Sequence, residues 1–148
     1  MGNFFNSNVA LSSKKDDWTT PPHIFEKLNE EFTFTVDLCA SDENHLCDRY
    51  YTEKRSCFDA DLHDECIFCN PPYGRDMKKF IAKCYDLWQS GNTVVLLVPA
   101  RTDTKWFHKY IYHNAEIRFI KGRLRFGNGH VVNNAPFASM ICVFEKRR

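Results

Sequence analysis

The sequence predicts a single-domain α/β fold: a mostly parallel sheet with helices on both faces, closed by antiparallel strands towards the C-terminus. Three observations carry that prediction. Apolar runs alternate with amphipathic helical patterns over roughly the first two thirds of the chain, and strand patterns then follow one another. The run "NTVVLLVPA" is apolar without alternation, the pattern of a strand buried on both faces. Finally, 148 residues suffice for a sheet covered by helices but not for a second large module.

Residues 1–17 are polar and end in "KKDD", which predicts a flexible leader, with the folded domain over 18–148. "TTPPHIFEKLNEEF" then carries a helix start, with Thr20 as N-cap and Pro21 at the first helical position. Ile24, Phe25, Leu28 and Phe32 fall on one face of that helix. "FTFTVDLCA" alternates and is rich in β-branched residues, so a strand should end near Asp37. "ECIFCN" is a second strand. "RDMKKFIAKCYDLWQSG" spaces Met77, Phe80, Ile81, Cys84, Leu87 and Trp88 as a helix that stops at Gly91. After the apolar strand a further helix is expected from 103 to about 112, followed by strands in "EIRFIKG", "RLRFG" and "ASMICVFEK". In such a sheet ligands bind beyond the C-terminal strand ends, where Asp37, Asn70 and Pro99 fall.

The turn "NPPY" could simply close a strand, yet it also offers specific chemistry. Pro71 and Pro72 have no N–H, so they contribute carbonyl acceptors held at fixed φ. Asn70, preceding a proline, is confined to extended backbone. Its side-chain oxygen and the Pro71 carbonyl can accept both hydrogens of one NH2 group. Tyr73 can stack on a flat ring, worth about 1–3 kcal/mol per base in comparable contacts. A planar ring bearing an exocyclic amine, adenine above all, fits this turn. Gripping both hydrogens frees the amine lone pair to attack the methyl group of S-adenosylmethionine, by electrostatic preorganisation rather than a covalent enzyme intermediate.

The net charge of +1 hides an uneven distribution. Residues 1–100 carry 10 Lys and Arg against 16 Asp and Glu, whereas residues 101–148 carry 10 against 3. A basic C-terminal third suits a polyanionic partner such as DNA, although a solvated basic face is the plainer explanation. Arg101, Lys105, Lys121, Arg123 and Arg125 are the candidate phosphate contacts, with the tail residues Lys146, Arg147 and Arg148 beside them. Arg123 and Arg125 alternate and so share a strand face. The seven cysteines are an odd number, and no signal peptide or membrane span is expected, which favours reduced thiols in a cytoplasm. Cys66 and Cys69 form a C-x-x-C near His63, but the usual second ligand pair is missing, so no metal is expected.

"FCNPPYG", together with "WTTPPHIFEKL", "TVDLCASDENHLC", "VVLLVPARTDTKWFH" and "IKGRLRF", resembles the small DNA N6-adenine methyltransferases of phages and prophages, the Dam type. The likeness runs from Trp18 to Phe144. It implies a Rossmann-like methyltransferase fold, S-adenosylmethionine as cofactor, and methylation of a flipped-out adenine in DNA. On this resemblance Asn70, Pro71, Pro72 and Tyr73 match the catalytic motif. Asp37 with Cys39, Ala40 and Ser41 matches the motif that meets the cofactor's methionine end, and Thr20 and Pro21 look like an N-terminal cofactor motif. Asp59 or Asp61 fills the place of the acid that faces the cofactor's adenine. The glycine-rich F-x-G-x-G turn is replaced by "LCASDEN", where the Asn44 side chain can compensate, and the usual ribose-binding acid is not evident, although Asp48 and Glu53 are near. The same turn also serves methyltransferases acting on RNA or on a protein glutamine, and a DNA-binding module without catalysis is the reading from another class. A homodimer on its DNA site stays open.

Overall fold

The computed structural model of the chain describes residues 19–127 and 132–147. The expected leader at 1–17, along with Trp18 and Arg148, lies outside the described residues. In chain order the elements are α1 (Pro22–Phe32), β1 (Val36–Asp37), β2 (Arg49–Tyr50), a 3-10 turn (Cys57–Asp59), β3 (Cys66–Cys69), α2 (Met77–Gln89), β4 (Thr93–Pro99), a π-helical turn (Phe107–Ile111), β5 (Glu116–Phe119), β6 (Arg125–Gly127), β7 (Val132–Asn134) and β8 (Ser139–Phe144).

The main sheet has the order β2-β1-β3-β4-β8-β5, and β6 and β7 form a separate antiparallel ribbon. The β2, β1, β3 and β4 neighbours pair in parallel, while β8 runs antiparallel to both β4 and β5. The anticipated closing antiparallel strands are therefore β8 and its pairings. The period-2 alternation of β4 sends Val94, Leu96 and Val98 into the core that holds Ile81, Cys84 and Leu87 of α2. Val95 and Leu97 enter the opposite core with Phe25 and Leu28 of α1. This two-sided burial is why the sequence of β4 lacks polar alternation.

One local expectation is corrected. Thr20 is not the N-cap of α1: Pro21 holds that position (φ −58°, ψ 131°) with no side-chain cap, and Pro22 rather than Pro21 opens the helix. Proline at the first helical position costs nothing because its missing N–H has no partner there anyway, and the Thr20 hydroxyl is engaged elsewhere. The helix expected from 103 to about 112 runs over 105–111, its last five residues wound as the π-helical turn, and Tyr112 N–H reaches back to Phe107 O at 2.8 Å. Thr104 opens it. Its hydroxyl donates to Arg101 O at 2.8 Å and accepts from Phe107 N–H at 3.3 Å, the contact of an N-cap side chain. Tyr112 then leaves in extended backbone.

Behind the site, fully buried Asn92 fastens three segments. Its amide nitrogen donates to Leu62 O and Leu87 O, both at 2.7 Å, and its oxygen accepts from Glu65 N–H at 3.0 Å. These bonds set the end of α2 against the chain entering β3. No helix among the described residues is long and apolar enough to cross a membrane.

Candidate active site

Because β1, β3 and β4 are parallel, their C-terminal ends share one rim, and chain order reverses beside β1, which is flanked by β2 on one side and β3 on the other. Asp37 ends β1 and Asn70 follows β3 on that rim.

Asp37 is only 3% exposed, and its two carboxylate oxygens bind inward. Oδ1 accepts from Cys39 N–H at 3.3 Å and Oδ2 from Leu46 N–H at 3.0 Å. Burial pushes its pKa up to about 6 against the opposing pull of those two N–H groups and of nearby His45. Asp37 thus fastens the loop 38–46 from within. The loop is wound further by Ser41 and Asn44, which exchange backbone hydrogen bonds of 3.1 and 3.2 Å while Asn44 N–H also donates to Ser41 Oγ at 3.1 Å. Side-chain clamping here takes the place of the absent glycine-rich turn.

The turn 70–73 is fixed at both ends. Asn70 Nδ2 donates to Thr20 Oγ1 at 3.0 Å. Tyr73 donates its hydroxyl to Leu97 O at 3.3 Å, and its ring packs edge-on against Phe126 and Phe137, with centroids 6.2 and 5.3 Å away. Burial raises the Tyr73 phenol far above its ordinary pKa, so it stays protonated. Gly74 follows at φ +124°, a conformation other residues rarely adopt, and releases the chain into α2.

Two adjoining cavities flank this turn. The larger, about 1140 Å³, has walls from the β1 end (Leu38), the segment after β2 (Tyr51, Glu53), Phe58, Tyr73 and Phe80. The smaller, about 100 Å³, is lined by Thr19, Thr20, Asp37, Ser41, Asn44, Asn70 and Pro71. Cys39, Ala40 and Pro72 line both. The structure therefore brings together Asn70, Pro71, Pro72, Tyr73, Thr20, Asp37, Cys39, Ala40, Ser41 and Asn44. Pro21 lines neither cavity and serves to start α1.

Asp59 and Asp61 line neither of these two cavities. Both are exposed, and Asp61 accepts from His63 Nε2 at 2.8 Å, outside the cleft. The acids lining the larger cavity are Glu53, beyond the C-terminal end of β2, and Asp76, just before α2, whereas Asp48 precedes β2 and sits at its other end. Phe58, 44% exposed, lines the same wall and packs against Phe80 with centroids 4.9 Å apart. Phe58 escaped the sequence reading, and Glu53 was noted only as near the place of the ribose-binding acid, because β2 is two residues long and has no apolar run to announce its end.

Of the basic residues, Arg101 and Lys105 follow β4 and are exposed, with the Arg101 guanidinium 5.9 Å from the Phe137 ring centroid. Lys121, Arg123 and Arg125 are exposed, while Leu124 and Phe126 between and beside the arginines are buried, so the expected alternation holds. Lys146 and Arg147 do not join this face. As β8 runs antiparallel to β4, the tail ends beside Thr93 at the far rim, where Lys146 pairs with Asp64 and Arg147 donates to Gln89. Arg75 and Lys79 line the larger cavity, two cations hidden in the sequence by the acidic balance of residues 1–100. Cys66 and Cys69 point to opposite faces of β3, and burial pushes the Cys66 thiol up to about 11 and that of Cys69 well above its usual value. Neither geometry nor ionisation suits shared metal ligation.

A family model described as DNA N-6-adenine-methyltransferase (Dam) matches residues 7–147. The DNA N-6-adenine-methyltransferase of Escherichia phage T1 is 29% identical over 128 residues, which cover 83% of this chain and 52% of that relative. The chain thus spans about half the length of that relative. The DNA N-6-adenine-methyltransferase of Haemophilus phage HP1 is 28% identical over 143 residues, covering 91% of this chain and 82% of the relative. Among solved structures, an SAM-dependent O-methyltransferase from Thermotoga maritima superposes with a TM-score of 0.53 at 12% identity, covering 93% of this chain and 70% of that one, a likeness of fold.

Proposed function

The chain belongs to the DNA N-6-adenine-methyltransferase (Dam) family, and from that membership we propose that it transfers a methyl group from S-adenosylmethionine to the N6 amine of adenine in DNA. The observation that carries this reading is the position of the turn 70–73, whose residues form the wall between two adjoining cavities at the C-terminal end of the sheet.

The residues present fit the cofactor. Phe58 and Phe80 offer aromatic surface for a nucleobase, and Glu53 a carboxylate able to accept from sugar hydroxyls. Thr19, Ser41 and Asn44 offer polar groups for an amino-acid end. When bound, S-adenosylmethionine supplies an electrophilic methyl group on its sulfonium sulfur. The chain's own part is to make the amine nucleophilic. Asn70 Oδ1 and Pro71 O accept its two hydrogens, which draws the lone pair out of conjugation with the ring. Tyr73, with its hydroxyl held by Leu97 O, keeps its ring in a fixed plane for stacking. Extruding the base from a duplex costs a few kcal/mol, and phosphate contacts from Arg101, Lys105, Lys121, Arg123 and Arg125 offset that cost.

Incubation with mixed-sequence duplex DNA and labelled cofactor, followed by nucleoside analysis, should yield N6-methyladenine. Asn70→Ala should abolish transfer and leave DNA affinity largely unchanged. Label in RNA or a glutamine peptide but not DNA would refute the substrate, and DNA binding with no transfer at all would refute the enzyme. A homodimer would widen the DNA footprint of so short a chain, which light scattering of the complex measures. Seven free thiols suit a reducing cytoplasm as the working compartment.

A further inference from the structure

Two segments far apart in sequence use the same device. Thr20 and Asn70 each precede a Pro-Pro pair, and the proline rings confine each to extended backbone, which narrows the directions their side chains can take. The two side chains meet, Asn70 Nδ2 donating to Thr20 Oγ1 at 3.0 Å, and both residues line the smaller cavity.

A carboxamide has a donor end and an acceptor end of almost equal size, so sterics alone hardly distinguish its two flips. The chemistry does. The adenine amine presents hydrogens, which an amide oxygen can accept and an amide NH2 would repel. With the nitrogen placed on Thr20, the oxygen lies at the other end of the amide plane. A hydroxyl can accept or donate, so Thr20 holds the amide in place while the hydrogens of the substrate amine select the flip that turns the oxygen towards them.

We infer that Thr20 is a positioning residue for methyl transfer: its hydroxyl tethers one end of the Asn70 amide, so that the amide plane is held where its oxygen can meet the amine of the substrate. This rests on reading the turn 70–73 as the transfer site, and it gives Thr20 a role other than the cofactor contact expected from sequence.

The test compares Thr20→Val, Thr20→Ala and Thr20→Ser with the unmodified protein, following kcat, KM for duplex DNA, Kd for S-adenosylmethionine and the Asn70 side-chain NH2 signals in 15N–1H spectra, assigned by their loss in Asn70→Asp. Thr20→Val and Thr20→Ala should lower kcat on the order of 10²-fold, the scale expected when a reacting geometry is misplaced. Cofactor Kd should stay near that of the unmodified protein, the NH2 signals should shift, and Thr20→Ser should restore both kcat and signals. Thermal melts identify any variant that fails to fold, and Thr20→Ala, with no methyl group to accommodate, then stands in for Thr20→Val. Weaker cofactor binding with full kcat at saturation, or serine no better than valine, would overturn the inference. If the unmodified protein methylates nothing, the transfer reading fails separately, while the NH2 signals still report whether Thr20 holds the amide.

Discussion

Replacing Asp37 by Asn tests the clamp beneath the loop 38–46. The buried carboxyl of Asp37 has a folded pKa of about 6, raised from the ordinary 3.8 mainly by desolvation. The folded state therefore holds this proton more tightly than the unfolded chain does. Its contribution is most favourable at low pH and declines as pH climbs through 3.8 to 6, where the unfolded chain ionises first. At 1.36 kcal/mol per pKa unit, a shift of about two units makes the ionised carboxylate cost about 3 kcal/mol at neutral pH, of which about 2 kcal/mol develops between pH 4.5 and 7.5. Asn carries no such penalty, but it can satisfy only one of the Cys39 and Leu46 N–H groups with its single oxygen. Urea melts of both proteins at pH 4.5 and 7.5 isolate the titration, because other groups cancel in the difference. The unmodified protein should lose about 2 kcal/mol relative to Asp37→Asn as pH rises across that interval. A pH-independent difference, or one of opposite sign, would show that burial does not dominate at Asp37 and that the two N–H groups favour the ionised carboxylate at least as strongly as burial opposes it.

Three further outcomes follow from the same geometry. Glu53→Gln should raise the Kd for S-adenosylmethionine by about 10-fold or more in calorimetry, the scale of a lost charged hydrogen bond, while leaving DNA affinity unchanged. Arg123→Glu with Arg125→Glu should weaken binding to DNA of any sequence and flatten the plot of log affinity against log salt by roughly 1 to 2 for the two lost phosphate contacts, as read by fluorescence anisotropy. Asn92→Ala should cost about 3 kcal/mol in urea unfolding, since it strips partners from two buried carbonyls and one N–H, and a loss below about 1 kcal/mol would mean that water replaces the amide.

What the sequence disclosed follows from what leaves a local mark. β4 was legible because two-sided burial demands seven consecutive residues with little polarity, and α2 because Met77, Ile81, Cys84 and Leu87 repeat at helical spacing. The motif at 70–73 was legible because proline pairs and an amide have few reasons to coincide. The fate of a polar side chain is set by partners distant in sequence, and there local reading failed. Thr20 looked like a cap until Asn70, fifty residues away, claimed its hydroxyl. Glu53 could not be told from Asp48 as a ribose-binding acid because β2, two residues long, has no pattern to show where the chain re-enters the cleft. Lys146 and Arg147 counted towards a basic face by composition, but the antiparallel run of β8 delivers them to the opposite rim.

Tyr73 ties the turn 70–73 to the ribbon that carries the proposed phosphate contacts. Its hydroxyl is held by the backbone of β4, and its ring edge meets Phe126 of the β6 strand. Phe126 is fully buried, and its neighbour Arg125 points outward from the same strand. A load on the arginines therefore reaches the turn 70–73 through one buried phenylalanine, and close-packed interiors transmit such a displacement rather than absorb it. Phe126→Ala would open a void beside Tyr73 and uncouple ribbon from turn. A buried Phe→Ala change costs about 3–5 kcal/mol in stability, so the discriminating measurement is made on protein that melts well above assay temperature. There the variant should keep its cofactor Kd, because Phe126 lines neither cavity, and lose kcat on DNA. Equal losses in both would mean general loosening of the fold, and the ribbon would then be a bystander to the turn.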